Sequence, residues 1–163
     1  MTVSDATLYV RRNVTLLAVL QGLFMSVQAM GIATTPLAAY SLLGTDKSLA
    51  TVPIFLAHAG IMLTTIPASL LMDRIGRRSG FTVGIGLGLL FGAIAAYAVW
   101  IRSFEILCVA AVLQGMSAAF AWYYRFAATD SAEPAYRAKA ISLVMAGGVI
   151  AGFLGPQTAK WSV

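Results

Sequence analysis

Charged residues divide this chain into long stretches that are mostly apolar. No Asp, Glu, Lys or Arg occurs in five segments, which are 13–45, 48–72, 79–101, 106–124 and 140–159. A helix needs about 20 mostly apolar residues to cross about 30 Å of hydrocarbon. The pattern therefore predicts a short N-terminal segment at 1–12 and a transmembrane bundle at 13–163. Its five spans are expected at about 13–36, 49–72, 79–101, 105–125 and 139–159.

The predicted fold class is an all-α integral membrane protein. Membrane β-strands alternate apolar and polar residues over about ten positions, and segment 85–91 shows no such alternation. The first apolar run follows Arg11 and Arg12, as it does in a secretory signal, but a signal core is only about 7–15 residues long. The length of this run favours a membrane span over a cleaved signal.

Composition supports a membrane protein and excludes several other classes. Of 163 residues, 60% are hydrophobic and 10% are charged, and the mean hydropathy is +0.84. A soluble domain this small cannot bury so much apolar surface. The single Cys and single His exclude a disulfide scaffold and a multidentate Cys/His metal site. We therefore expect no metal and no cofactor.

The net charge of +5 predicts membrane topology rather than a nucleic-acid partner. With the N-terminus in the cytoplasm, eight cations fall on the cytoplasmic side: Arg11, Arg12, Arg74, Arg77, Arg78, Arg125, Arg137 and Lys139. The three others fall on the opposite side: Lys47, Arg102 and Lys160. Cytoplasmic loops carry an excess of Lys and Arg, so a multi-pass protein of the inner or plasma membrane with a cytoplasmic N-terminus is expected.

A short basic turn joins the second and third predicted spans, with the sequence Asp73-Arg74-Ile75-Gly76-Arg77-Arg78. It resembles the loop motif Gly-x-x-x-Asp-Arg-x-Gly-Arg-Arg/Lys of the major facilitator superfamily, and it lies between spans two and three, as in that family. Ser69 stands in place of the leading Gly and is still small.

Two further segments resemble patterns of the same family. In span four, Gln114-Gly115-Met116-Ser117-Ala118-Ala119 is similar to the fourth-helix pattern, with Ala111 where many proton-coupled members have Arg. In span five, Gly152-Phe153-Leu154-Gly155-Pro156 is similar to the drug-antiporter pattern, without the Gly pair that follows it there. Packing or bending roles are expected for Gly115, Gly152, Gly155 and Pro156. The resemblance covers helices one to five of the N-terminal six-helix half.

The resemblance implies a secondary active transporter of a small solute that works by alternating access between two bundles. The chain is then an N-terminal portion whose partners are the lipid bilayer, the solute and a missing C-terminal half. The resemblance also implies a cytoplasmic latch in the turn, formed by Asp73, Arg74, Gly76, Arg77 and Arg78. Asp130, just past span four, is the candidate acidic partner of Arg77.

Polar and aromatic residues inside the spans are candidates for the substrate cavity, namely Gln21, Gln28, His58, Gln114, Trp122 and Tyr123. Gln21 and Gln28 are seven residues apart and share one helix face. Hydrogen bonding between helices is the alternative role for the glutamines. His58 is either a proton relay or a hydrogen-bonded structural residue.

Two other functional classes compete with transport. A membrane enzyme usually holds paired acids at the membrane surface, whereas the acids here are single and scattered, so no enzyme is expected. A stand-alone five-span interaction or assembly protein without transport activity is the other alternative. A reading frame that continues past Val163 into a second bundle would favour the transporter, and a stop codon there would favour a fragment or a role without transport.

Overall fold

The protein is built from α-helices joined by short connections. The computed structural model describes residues 3–44, 47–130 and 134–161, but not the side chains at 3–9, 11, 130, 134–135, 150–151 and 153–161. Within these ranges there are six helices and no strand. They are α1 (Val3–Leu42), α2 (Val52–Ile75), α3 (Arg77–Trp100), α4 (Phe104–Ala121), α5 (Tyr124–Asp130) and α6 (Pro134–Trp161). The predicted all-α fold is confirmed.

Four stretches of the described helices are long and apolar enough to cross a membrane: Arg12–Leu42, Val52–Ile75, Arg77–Trp100 and Phe104–Thr129. The last combines α4 with α5. The predicted fifth span, 139–159, lies within α6 and stays a prediction, since many of its side chains are outside the description. Large apolar side chains such as Phe55, Met62 and Leu89 are more than two-thirds exposed, as expected for contact with lipid.

Residues 31–121, here called the middle unit, are held together by α4. This helix packs along both α2 and α3. A Cβ atom on Gly60 of α2 would lie 2.7 Å from the carbonyl oxygen of Val112, so the two backbones nearly touch. The Ser117 hydroxyl of α4 donates a hydrogen bond of 2.7 Å to the carbonyl of Gly84 on α3. Small residues therefore set the close helix spacing, as in membrane bundles generally.

Residues 1–30 and 122–163, here called the terminal unit, contain the first part of α1 together with α5 and α6. Its described core includes Val14, Ala128, Ala140 and Val144. A Cβ atom on Gly147 would lie 2.6 Å from the carbonyl oxygen of Ala18, so α6 and α1 also approach closely. The core is thin because these small side chains fill a narrow space between helices.

Two helix ends are closed by polar side chains. Before α4, the Ser103 hydroxyl accepts a hydrogen bond of 3.3 Å from the backbone N–H of Ile106 and donates one of 2.9 Å to Glu105. After α1, the Lys47 ammonium donates to the carbonyls of Tyr40 and Leu43. A cation at a helix C-terminus and a hydroxyl at an N-terminus both satisfy backbone groups that the helix leaves unpaired.

Candidate functional site

The basic turn is a one-residue connection between α2 and α3. Gly76 ends α2 and precedes α3, with φ 84° and ψ 152°, a conformation that only glycine adopts without strain. Its N–H donates to the carbonyl of Met72 at 2.9 Å, and its carbonyl accepts from the N–H of Gly80 at 3.0 Å. Gly80 also packs against the Met72 side chain. Gly76 thus allows one long helix to follow another after a single residue.

The charged side chains of this turn all lie on the surface. Asp73 and Arg74 occupy the last turn of α2, and Arg77 and Arg78 the first turn of α3, and all four are exposed. Three cations beside one acid form a basic end of the hairpin that is suited to anionic lipid headgroups. The side chain of Asp130 lies outside the description, so its pairing with Arg77 stays a prediction.

Gln21 is the one buried polar or charged side chain recorded among the described residues, with 1% of its surface exposed. It lies on α1 against Gly148 of α6, where a Cβ atom on the glycine would stand 3.3 Å from the Gln21 Cγ. Its Oε1 has no hydrogen-bond partner within the described residues. Gln28, on the same face two turns further along, is half-buried.

Trp122 and Tyr123 lie between α4 and α5, and each contacts another ring. The Trp122 ring meets Phe24 edge-to-face, with ring centres 5.7 Å apart and planes at 81°. The Tyr123 ring is 6.1 Å from that of Phe126. The guanidinium of Arg125 lies 5.4 Å from the Trp122 ring and 5.0 Å from the Phe126 ring, which is within the range of a cation–π contact.

His58 and Gln114 of the middle unit have different surroundings. His58 is exposed on α2, and its Nδ1 lies 2.9 Å from the carbonyl of Ile54, one turn earlier. Because a carbonyl only accepts, this nitrogen carries the proton in the neutral ring and Nε2 is the acceptor. The Gln114 amide instead faces Gly31 of α1, where a Cβ atom would stand 2.6 Å from its Nε2.

The predicted packing residues also differ in their surroundings. Gly115 lies against the carbonyl of Ala57 and the backbone of Ile61 on α2. Gly152 of α6 has no described atom within 4 Å of the place where a Cβ would be. Gly155 and Pro156 lie in the last turns of α6, which stays helical through them. The structure does not describe the surroundings of these two side chains, so the predicted bend stays a prediction.

The sequence pattern missed Arg125 and Phe24 as site candidates. It assigns Arg125 to the cytoplasmic flank of span four, because a cation at a span end is usually topological. The structure instead places its guanidinium over two rings. A signal for this existed, since Trp122 and Phe126 stand three residues before and one after Arg125. Phe24 carried no comparable signal, because it is one of many apolar residues in α1.

An all-helical, multi-pass membrane protein with this turn between its second and third helices falls within a known class. The chain belongs to the major facilitator superfamily, a family of membrane transporters, because the model of that family matches residues 14–161. The resemblance seen in the turn is therefore confirmed.

Two relatives place the chain more closely within the family. It is 38% identical to the riboflavin transporter RfnT of Brucella anthropi over 159 residues, which are 98% of this chain and 39% of that protein. It is 30% identical to YdeG, an uncharacterized MFS-type transporter of Bacillus subtilis strain 168, over 129 residues, or 79% of this chain and 30% of that protein. The chain thus spans well under half the length of these relatives. No solved structure matches it.

Proposed function

We propose that this chain takes part in secondary active transport of a small solute by alternating access across the inner or plasma membrane. The observation that carries the proposal is the match to a transporter family over residues 14–161, almost the whole chain. The tight spacing of α2 and α4 supports it, because alternating access is a rocking of rigid bundles about a site between them.

The chain acts in this proposal as the N-terminal portion of a two-bundle transporter. Its length supports this, since it spans 39% and 30% of the two relatives named above. The partner is then a second helical bundle, and the solute site lies between the two. The N-terminus lies in the cytoplasm, which puts the basic turn at Asp73–Arg78 on the cytoplasmic side.

The turn acts as a conformational latch in the same proposal. Asp73 and Arg77 lie at facing ends of α2 and α3, on either side of a single glycine. Exposed ion pairs contribute only about 0.2–1 kcal/mol each. A contribution of that size suits a latch, because it biases an equilibrium between two states without locking either of them.

Riboflavin is the first solute to test, since the relative in Brucella anthropi is named a riboflavin transporter. The protein is expressed from its complete reading frame and reconstituted into liposomes, and uptake of labelled riboflavin is followed. Saturable uptake above empty liposomes is expected. A segment limited to residues 1–163 is expected to give none, because one bundle has no partner to rock against.

Two results would contradict the proposal. Equal uptake by the 163-residue segment would contradict the need for a second bundle. No uptake of riboflavin or of any solute in a panel of sugars, amino acids, nucleosides and organic cations, with the protein correctly folded, would contradict transport itself.

A further inference from the structure

Two buried polar atoms of the terminal unit have no hydrogen-bond partner among the residues that the structure describes. They are Oε1 of Gln21, an acceptor, and Nε of Arg125, a donor. Buried polar atoms are nearly always paired, because burial removes their bonds to water. An unpaired acceptor and an unpaired donor in one helical unit therefore indicate a site that a ligand completes.

The contact between Phe24 and Trp122 brings these two side chains into one region of the terminal unit. Val14 belongs to the same core cluster as Ala128, and the ring of Phe24 meets that of Trp122. Position 21 lies between these two points of α1 and is therefore near residues 122–128 along the same unit. Gln21 precedes Phe24 by three residues, about 4.5 Å along α1 at 1.5 Å per residue, and the Arg125 guanidinium lies 5.4 Å from the Trp122 ring.

Aromatic rings lie in the same region as the two polar atoms. The edge of one ring of the Phe24–Trp122 pair points at the face of the other, and the Arg125 guanidinium lies over the indole at 5.4 Å. An indole face stacks well on flat π-systems, and a guanidinium does the same. A flat aromatic molecule beside Trp122 would thus gain stacking from the ring and hydrogen bonds from the polar atoms.

The polarity of the two unpaired atoms restricts the chemistry of the ligand. A carboxylate would suit Arg125 but would set an acceptor against Oε1 of Gln21. A cation would suit that oxygen but would meet the positive charge of Arg125. A sugar offers donors and acceptors but no flat π-face for Trp122. A neutral planar ring with an N–H donor and a carbonyl acceptor satisfies all three groups.

We propose that Gln21, Arg125 and the Phe24–Trp122 ring pair form a binding site for a neutral, planar heteroaromatic molecule. Such a ligand carries an N–H and a carbonyl on its edge. This inference rests on the proposed transport function and names the substrate class for it. The N–H of the ligand donates a hydrogen bond to Oε1 of Gln21. The carbonyl of the ligand accepts a hydrogen bond from the Nε–H of Arg125, and the ring of the ligand stacks on Trp122.

Access to this site requires a movement of Phe24. Gln21 is almost completely buried, and the Phe24 ring lies between the α1 backbone and the indole of Trp122. A turn of the Phe24 side chain about its χ1 bond uncovers the space beside the indole. Binding is therefore expected to replace the Phe24–Trp122 contact by a contact between ligand and indole.

Riboflavin and lumichrome are suitable probes, because both carry an N–H between two carbonyls on a flat ring system, and lumichrome lacks the sugar-alcohol chain. The protein is expressed from its complete reading frame and placed in lipid nanodiscs, and quenching of probe fluorescence is titrated. Saturable quenching by both probes is expected. Gln21→Met is expected to weaken binding about tenfold through loss of one hydrogen bond. Trp122→Leu is expected to weaken it at least about tenfold through loss of stacking.

Two variants provide matched controls. Trp100→Leu removes an exposed tryptophan from the middle unit, and Arg137→Gln removes an exposed cation from the terminal unit. Both are expected to bind riboflavin within about twofold of the original protein. The thermal midpoint of Gln21→Met gives an independent check. A thioether in place of an amide whose Oε1 is unpaired should not lower the midpoint, so weaker binding would not come from unfolding.

Three outcomes distinguish this site from the transport proposal. Absence of saturable quenching by both probes, or equal affinity in Gln21→Met and the original protein, would overturn the site. Uptake of some solute by a protein that binds neither probe would leave transport intact and remove the site. Probe binding that is lost in Gln21→Met and Trp122→Leu, in a protein that moves no solute, would support the site and contradict transport.

Discussion

At the scale of single residues, two glycines set the distance between α2 and α4. Gly115 faces the carbonyl of Ala57, and Gly60 faces the carbonyl of Val112, so each helix presents a glycine to the backbone of the other. Any larger residue at either position meets backbone atoms, which cannot move aside as a flexible side chain can. Adding even one methyl group at position 60 or 115 is therefore expected to destabilise the middle unit.

Gly115→Ala is expected to destabilise the protein by about 1–3 kcal/mol, the usual cost of overpacking. The added methyl would lie 2.9 Å from the backbone N of Ile61. The matched control is Gly92→Ala on α3, where no described atom beyond the neighbouring helix backbone lies within 4 Å of the new methyl. It should be neutral or stabilising, because Ala is a better helix former than Gly. Thermal unfolding in detergent compares the two, and equal midpoints would contradict close backbone packing at Gly115.

The backbone at Gly76 leads to a second residue-scale prediction. Gly76→Ala is expected to cost about 1–3 kcal/mol, because φ 84° with ψ 152° lies in a region that is almost exclusive to glycine. Apart from its chain neighbours, no described atom lies within 4 Å of a new methyl there, so the cost is conformational rather than steric. Gly86→Ala, in the same helix pair with open space and an ordinary φ, is the control. The free energy of unfolding in denaturant gives both values.

Sequence alone identifies the residues of the turn but not those of the terminal unit. The turn can be identified from the sequence because four charges and a glycine between two apolar helices have few other interpretations. Gln21 also stands out, since an amide inside an apolar span needs a partner. Phe24 and Gly148 do not stand out, because their roles come from contacts with residues about a hundred or more positions away in the chain, Trp122 for Phe24 and Gln21 for Gly148.

At the scale of helices, hydrogen bonds between neighbours supplement close packing. The Ser117 hydroxyl of α4 reaches the Gly84 carbonyl of α3 at 2.7 Å, 33 residues away in sequence. Gly84 itself lies against the side chain of Phe120. Because hydrocarbon offers no competing donor, a bond of this kind fixes the register of one helix against the next.

Ser117→Ala is expected to destabilise the α3–α4 pair by about 0.5–1.5 kcal/mol through loss of this bond. Ser142→Ala is the matched control. The Ser142 hydroxyl is exposed on α6 and donates only to the carbonyl of Ala138 in its own helix, at 2.9 Å. Its removal should change stability by less than about 0.5 kcal/mol. A double-variant cycle with both changes tests whether the two effects add, as expected for sites whose hydrogen bonds share no partner.

The distribution of charge predicts where apolar helices lie but not where they end. Ionised side chains avoid hydrocarbon, so each gap between charges marks a stretch that suits the bilayer. Helix ends are set by backbone hydrogen bonds, which continue into polar sequence. For this reason α1 begins at Val3, well before the predicted span at 13–36, and the predicted span at 105–125 divides into α4 and the first residues of α5.

At the scale of the whole molecule, the proposed orientation can be tested in cells. Cys108 is the single cysteine, so Cys108→Ala gives a clean background. Ser79→Cys lies next to the basic turn, and Ile101→Cys lies at the far end of α3, and both positions are exposed. With a cytoplasmic N-terminus, a membrane-impermeant maleimide should label Ile101→Cys in intact cells and Ser79→Cys only after lysis. The reverse pattern would contradict the orientation.

The proposed latch in the basic turn also concerns the whole molecule. Asp73→Asn is expected to change the ratio of inward-open to outward-open states by up to about fivefold, in line with one exposed ion pair. The affinity for solute within each state should stay the same, because in this proposal Asp73 shifts the equilibrium between the states and does not contact the solute. Cysteine accessibility on both sides of the membrane reports the ratio. Glu105→Gln, an acid at the opposite end of the spans, is the control and should leave the ratio unchanged.

The one-residue turn at Gly76 has a consequence for biosynthesis. Two long apolar helices joined by a single residue cannot enter the bilayer independently. The connection is too short to cross the membrane, so the direction of the first helix determines the direction of the second. α2 and α3 must therefore insert as one hairpin, and Arg74, Arg77 and Arg78 stay together on the side where the hairpin forms. An error in the insertion of either helix would invert both.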